Sequence, residues 1–123
     1  MNTRKNIDMK SNNNPKMIRL ELGNTFKVLQ VNGSAGMNMP EHISTKEAVI
    51  IVQKGTAILK MKGIENVLKL NASLIIPAGE KHMLQITKDF QAVVIMENDS
   101  EIKFINNVPD CLILSLTALS LLR

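Results

Sequence analysis

The sequence contains no tryptophan and no tyrosine, and three phenylalanines are its only large aromatic residues. Proteins that bind single-stranded nucleic acid usually stack the bases on aromatic side chains along a basic groove. The formal net charge is +4, but the lysines are scattered along the chain rather than clustered. The composition therefore predicts a solvated basic surface and no nucleic-acid partner.

Cysteine and long apolar runs are also scarce. Cys111 is the only cysteine, which excludes an internal disulfide and fits a reducing cytoplasm. No apolar run reaches the roughly 18 residues that a transmembrane helix needs. Residues 1–16 are polar and rich in Asn and Lys, with no apolar core of a signal peptide. We expect a cytoplasmic protein with no membrane partner and a mobile polar tail over 1–16.

Short β-prone runs follow one another from residue 17 onward. They read MIRLEL, TFKVLQV, AVIIVQ, TAILKMK, NVLKL, SLIIP, HMLQIT, QAVVIM and EIKFI. Each has the length of a strand, and the breaks between them carry Gly, Asn, Asp or Pro. Such regular spacing, with no convincing helix between the runs, is typical of a closed or nearly closed all-β domain. A chain of 123 residues is long enough for one such domain, which we place at residues 17–106.

The last part of the chain, residues 107–123, has a different composition. From Cys111 it reads CLILSLTALSLLR, which is almost wholly apolar and carries no charge before Arg123. Asp110 could cap a helix that starts at Cys111, but the alternation over residues 114–117 suits an extra strand equally well. Either form must be covered by its own barrel or by a second subunit. We predict a homodimer with this segment in the interface.

One turn stands out because a histidine follows it closely. In LIIPAGEKHMLQI, the rigid Pro-x-Gly of Pro77 and Gly79 lies just before His82, one of only two histidines. A surface loop needs no such rigidity. A binding site does, because its groups must be held in a fixed geometry on a stiff scaffold.

Two stretches resemble the motifs of the cupin family. GMNMPEHIS, in which five residues separate Gly36 from His42, resembles the opening of the first cupin motif, and VIIVQKG resembles its closing strand and glycine turn. PAGEKH matches the Pro-x-Gly-x-x-His of the second motif at Pro77, Gly79 and His82. The resemblance covers residues 26–96. It implies a single-domain jelly-roll β-barrel whose two motifs converge in the barrel mouth. Cupins commonly bind a divalent metal there with three histidines and a glutamate, and many are oxygenases or isomerases, whereas others only bind ligands.

The chain departs from the family pattern at several positions. The His-x-His of the first motif is here His42-Ile43-Ser44, and a serine hydroxyl is a poor ligand for zinc, iron or nickel. The glycine that usually opens the second motif is Asn71, a mild change because Asn tolerates a left-handed backbone. The residues predicted to shape the turns are Asn71, Pro77, Gly79 and Gly55.

Glu47 is the candidate for the family's glutamate. Strand alternation argues against it, because if His42 points inward then Ala48 does too, and Glu47 points outward. A bulge near residues 45–46 would instead turn Glu47 inward. Two interpretations stay open. In one, His42 and His82 are the only ligands and the barrel holds no metal or a weakly bound divalent metal. In the other, His42, His82 and Glu47 form the metal set.

These features predict a barrel that binds a small, mostly apolar or weakly polar molecule in its mouth. The residues predicted to line this pocket are His42, Ser44, His82, Met37 and Met39. The alternative function is a metal-dependent cupin enzyme, an oxygenase or isomerase that uses His42, Glu47 and His82, since two histidines and one carboxylate support iron chemistry. A third hypothesis is a structural or regulatory partner protein that acts through the apolar C-terminal segment.

Overall fold

The computed structural model describes residues 14–105, and within them every regular element is a β-strand. The strands are β1 (Lys16–Leu22), β2 (Phe26–Gly33), β3 (Asn38–Ser44), β4 (Ala48–Met61), β5 (Ile64–Leu68), β6 (Ser73–Ile76), β7 (His82–Glu97) and β8 (Ile102–Phe104). The all-β prediction is thereby confirmed. The described residues include no helix that could cross a membrane.

The two ends of the predicted domain organisation are only partly described. β1 begins at Lys16 and Pro15 is buried, so the predicted tail overlaps the first strand. The question of a helix or a strand near the C-terminus, and the homodimer contact predicted for that segment, lie outside the described residues.

The eight strands form one curled sheet that folds into two facing layers. The first layer has the order β1-β2-β7-β4-β6, and the second has the order β8-β3-β7-β4-β5. All of these pairings are antiparallel. The long strands β4 and β7 take part in both layers and hold them together along one side.

The long strands pass from one layer to the other at a bend around Gly55. The register between β4 and β7 shifts three times between Val52 and Ala57. Gly55 has a φ of 75°, and a Cβ on it would collide with the backbone carbonyl of Asp89, so only glycine fits. The prediction of separate strands on either side of this turn was wrong, and so was the split of β7. A bulge lets one strand change direction without ending.

The core lies between the two layers, on the side chains that alternate inward along each strand. Ala48, Ile50 and Val52 of β4 are buried in the first layer, and Ala57 and Leu59 of the same strand are buried in the second. Each large apolar side chain buried in this way contributes about 1.5–3 kcal/mol. Near one end of the sandwich the core leaves a space, and both histidines line it.

Candidate ligand site at the barrel mouth

The two histidines lie opposite each other on neighbouring strands. In the antiparallel pair of β3 and β7, His42 is the register partner of His82. Each is only 5% exposed, and their ring centroids are 4.1 Å apart with the rings inclined by 63°. Phe104, the partner of His42 on β8, packs with its ring centroid 5.2 Å from that of His42. The sequence did not reveal Phe104 as a neighbour, because β8 follows β3 only after many residues.

The turn before His82 ties the start of β7 to the end of β3. The Glu80 N–H donates to the Pro77 carbonyl at 3.3 Å, and Gly79 has a φ of 73°, which is the geometry of a type II turn with glycine at its third position. The Gly79 N–H donates to the Ser44 carbonyl at 2.8 Å. The turn thus holds the strand that carries His82 against the strand that carries His42, which explains why a rigid turn precedes the histidine. Asn71 also has a left-handed backbone, with a φ of 70°.

The hydrogen bonds of the imidazole rings decide which nitrogen is left for a ligand. His42 Nδ1 lies 2.6 Å from the Pro40 carbonyl oxygen, and His82 Nδ1 lies 2.8 Å from the Glu80 carbonyl oxygen. A carbonyl oxygen only accepts, so each Nδ1 must donate, and a neutral ring then carries its lone pair on Nε2. Among the described residues neither Nε2 has a hydrogen-bond partner. The two rings therefore offer two acceptor nitrogens.

Burial keeps both rings neutral. The pKa of His42 is lowered to about 4, mainly by desolvation; the bond to the Pro40 carbonyl opposes this decrease and the neighbouring His82 adds to it. Desolvation also lowers the pKa of His82, although its bond to the Glu80 carbonyl and the Glu80 carboxylate partly offset the change. At neutral pH both Nε2 atoms are therefore unprotonated and able to accept a hydrogen bond or bind a metal ion.

A cavity of about 30 Å³ lies between the layers beside the two rings. In the described part of the chain, its polar lining residues are His42, Ser44 and His82, and its other lining residues are apolar. This volume holds about two water molecules and is far below the roughly 300–1,000 Å³ of pockets for drug-sized ligands. The cavity therefore fits a ligand of only a few non-hydrogen atoms.

The methionines predicted for the pocket lie in two different places. Met39 is buried on β3 and lines the cavity, whereas Met37 lies in the turn before β3 and lines a separate open groove. Met37 is therefore not in the site that sequence analysis assigned to it, because the strand that carries the inward alternation begins only at Asn38. Met17 and Ile102 line the cavity and were missed. They come from β1 and β8, which reach the mouth only through the topology of the sheet.

The described residues do not fit the metal set of the family. The Ser44 hydroxyl donates to the Lys46 carbonyl at 2.8 Å, Ala48 is buried in the cavity wall, and Glu47 is exposed. Strand alternation predicts this orientation of Glu47, and the structure does not bring it to the histidines. Within residues 14–105 no group of three or more His, Cys, Asp or Glu could hold a metal ion. Two imidazoles remain, fewer than the three or four protein ligands of a typical zinc site.

Several solved structures share this fold. An RmlC-like cupin protein from Desulfovibrio desulfuricans matches with a TM-score of 0.59 and 20% identity, over 73% of this chain and 82% of that one. A DMSP lyase from Ruegeria pomeroyi matches with a TM-score of 0.64 and 20% identity, over 70% of this chain and 48% of the lyase. A salicylate 1,2-dioxygenase from Pseudaminobacter salicylatoxidans matches with a TM-score of 0.64 and 15% identity, over 72% of this chain and 30% of the dioxygenase.

These matches concern the fold, because the identities are low and the chain spans less than half the length of the lyase and of the dioxygenase. No protein-family model and no curated protein sequence matches the chain. The curled all-β sheet, the two histidines opposed across β3 and β7, and the structural relatives agree with one another. The protein has the fold of a small single-domain cupin.

Proposed function

We propose that this protein is a small cupin-like ligand-binding barrel whose ligand lies in the barrel mouth, beside His42 and His82. The observation that carries the proposal is the hydrogen bonding of the two rings, in which each Nδ1 bonds to a backbone carbonyl two residues earlier in the chain. Both Nε2 lone pairs are thereby left for a ligand at the buried end of the sandwich.

The chemistry of the walls selects the class of ligand. The cavity is lined by two acceptor nitrogens and by apolar side chains, and its hydroxyl, that of Ser44, already donates to a carbonyl. No lysine or arginine within residues 14–105 lines it. A carboxylate would be desolvated there without a donor to compensate. The site therefore suits a hydrogen-bond donor of a few atoms, neutral or cationic, with apolar groups toward Met39 and the core.

The size of the ligand is limited by the cavity, but the walls are adaptable. Met17, Met39 and Met96 line the space, and methionine side chains rearrange more readily than branched ones. A somewhat larger, mostly apolar molecule can enter only if these side chains move. The ring nitrogens stay fixed by their backbone hydrogen bonds, so the polar contact would keep its position while the apolar wall adapts.

A titration of the ring nitrogens tests this proposal. The imidazole ¹⁵N signals of His42 and His82 would be followed by NMR while methanol, ammonium or formate is added. We expect methanol and ammonium to shift both Nε2 signals and formate to leave them unchanged. The variant His82→Phe keeps a ring but removes one acceptor, and it should weaken binding about fivefold. Lys81→Gln, a change at the exposed neighbour of His82, should have no effect.

Two results would contradict the proposal. One is a response to formate alone, because an anion has no donor in this cavity. The other is a response that persists in both His42→Phe and His82→Phe, which would place binding elsewhere. The alternative function, a metal-dependent oxygenase or isomerase using His42, Glu47 and His82, gains no support from the described residues because Glu47 is exposed.

A further inference from the structure

The outward side of the first layer is an apolar surface. Four neighbouring strands, β2, β7, β4 and β6, contribute one row of apolar side chains. In strand order the row is Val28, Ile95, Val49 and Ile75, each lying opposite the next in the register. Val93 and Ile51 pair with each other in the next outward row. We call this surface the outer face; it consists of Val28, Val49, Ile51, Ile75, Val93 and Ile95. Ile75 is 56% exposed, and the other five are partly exposed.

The outer face carries no charge in its interior. The polar members of its second row are the uncharged Gln30 and Ser73, and Gln30 belongs to an amide network with Asn32 and Gln53. The outward side of the second layer is mixed, since the apolar pair Ile58 and Val67 lies beside Lys60 of β4, which forms an ion pair with Glu65 of β5 at 3.6 Å. A contiguous apolar patch without charge, such as the outer face, indicates an interaction surface rather than a solvated one.

The chain contains one segment whose chemistry matches this face. Cys111–Leu122 carries no charged residue and is almost wholly apolar. It lies beyond Ile105, the last described residue, whose N–H donates to the Glu41 carbonyl at 2.9 Å. A long uncharged apolar segment and an uncharged apolar face in one chain both need to be removed from water.

The exit point of the chain lies on the correct side of the molecule. β8 is the edge strand of the second layer and β1 is the edge strand of the first. These edges lie near each other, because Met17 of β1 and Ile102 of β8 line the same cavity. Lys27, on β2 beside β1, donates to the carbonyl of Ser100 just before β8, at 2.7 Å. The chain therefore leaves the described part beside the edge where the first layer begins.

The lengths of the linker and of the apolar segment also match the dimensions of the first layer. The linker over residues 106–110 spans at most about 17 Å when extended, which exceeds the roughly 10 Å between packed sheets. As a helix, Cys111–Leu122 would be about 18 Å long, and a layer of five strands is about 19 Å across. A segment of this length can therefore extend across the first layer.

We propose that the segment Cys111–Leu122 lies on the outer face of the first layer of its own chain. The inference is independent of the ligand site, since the outer face is on the opposite side of the sheet from the cavity. The homodimer predicted from the sequence is the competing arrangement, in which this segment lies in the interface with a second copy.

Hydrogen exchange of the full chain, measured by mass spectrometry, tests this placement. We expect slow exchange in peptides from Cys111–Leu122 that does not change when the protein is diluted. Ile75→Lys puts a charge in the outer face and should speed exchange in the segment about tenfold or more. Val67→Lys is the matched control, because Val67 is 58% exposed on the outward side of β5 in the second layer and the change should leave the segment unaffected. Should Ile75→Lys fail to fold, Ile75→Thr keeps the β-branched shape and should show a smaller change in the same direction.

Three results would overturn the proposal. Fast exchange of the segment in the wild type would mean that nothing covers it. Equal responses to Ile75→Lys and Val67→Lys would show that the outer face is not its contact. Protection that disappears on dilution, together with a dimer mass by light scattering that Ile75→Lys converts to a monomer mass, would assign the face to a second copy.

Discussion

His42 and His82 are set apart from ordinary surface histidines by the nitrogen that each leaves free. Both residues are predicted by the cupin motifs and the turn at Pro77 and Gly79. Their tautomer is not, because it depends on the position of a carbonyl oxygen two residues earlier in each case. Only the backbone path of each strand end places that oxygen at the Nδ1 atom, and no local residue pattern encodes this path.

The lowered pKa of His42 predicts a loss of stability in mild acid. In the unfolded chain the ring titrates near 6.5, whereas in the folded protein its pKa is about 4. As the pH falls from 6.5 toward 4, the unfolded state takes up the proton first, so the stability present above pH 6.5 is progressively lost. At 1.36 kcal/mol per pH unit, the loss is on the order of 3 kcal/mol. Urea unfolding of the wild type and of His42→Gln at pH 7 and pH 4.5 measures it.

The glutamine in His42→Gln does not titrate, whereas His82 and the carboxylates remain, so this variant serves as the reference for all other acid effects. Its free energy of unfolding should fall less between the two pH values than that of the wild type. Equal losses in both proteins would show that the ring of His42 is not desolvated.

Ser44 and Ala48 stand where the cupin pattern has metal ligands, so we expect weak metal binding. One substitution should strengthen it. Ser44 and Ala48 face the cavity with His42 and His82, so Ser44→His adds a third imidazole to the inward side. Zinc affinity after chelation and re-addition should rise about tenfold or more, as measured by calorimetry. Glu47→Gln should leave the affinity unchanged because Glu47 is exposed. A large loss in Glu47→Gln would mean that a bulge brings this carboxylate inward and would support the enzyme alternative.

The turn before β7 aligns the strand that carries His82 with the strand that carries His42. Gly79 has a φ of 73°, and a Cβ added to it would meet nothing within 4 Å. The cost of Gly79→Val therefore arises from backbone strain and should be about 1–2 kcal/mol, measured as a lower melting temperature. Gly63, also at a φ of 73° with open space around it, is the matched control.

Both valine variants should lose similar stability, but only Gly79→Val should change the ring signals of His82. The reason is that the Gly79 N–H bonds to the Ser44 carbonyl and so aligns the two strands. An unchanged melting temperature in Gly79→Val would show an ordinary turn, and unchanged ring signals would show that the turn does not position the histidine.

The strands were predicted well in type and less well in extent. Runs of β-prone residues identified most of them, because alternation and turn residues are local signals. β4 and β7 were each divided in two, since glycine and polar residues at a bulge resemble those of a loop. The strand Asn38–Ser44 was recognised only as a motif, because its proline and polar residues lower its apparent strand propensity.

At the scale of the whole molecule, the order and spacing of two motifs predicted the cupin fold correctly. The walls of the cavity could not be predicted in full, because Met17 and Ile102 reach it only when the two ends of the described chain meet across the layers. The outer face could not be predicted either, because it depends on the register of four strands. The cytoplasmic location and the absence of a nucleic-acid partner stay predictions.

The central claim is that two buried, neutral imidazoles present their Nε2 lone pairs to the same small cavity. The most direct measurement is the tautomer of each ring in the ligand-free protein at neutral pH, from ¹⁵N chemical shifts and ring proton couplings. We predict a protonated Nδ1 and an unprotonated Nε2 for both His42 and His82. A protonated Nε2 on either ring would contradict the claim, because that nitrogen would then donate and could not accept a ligand.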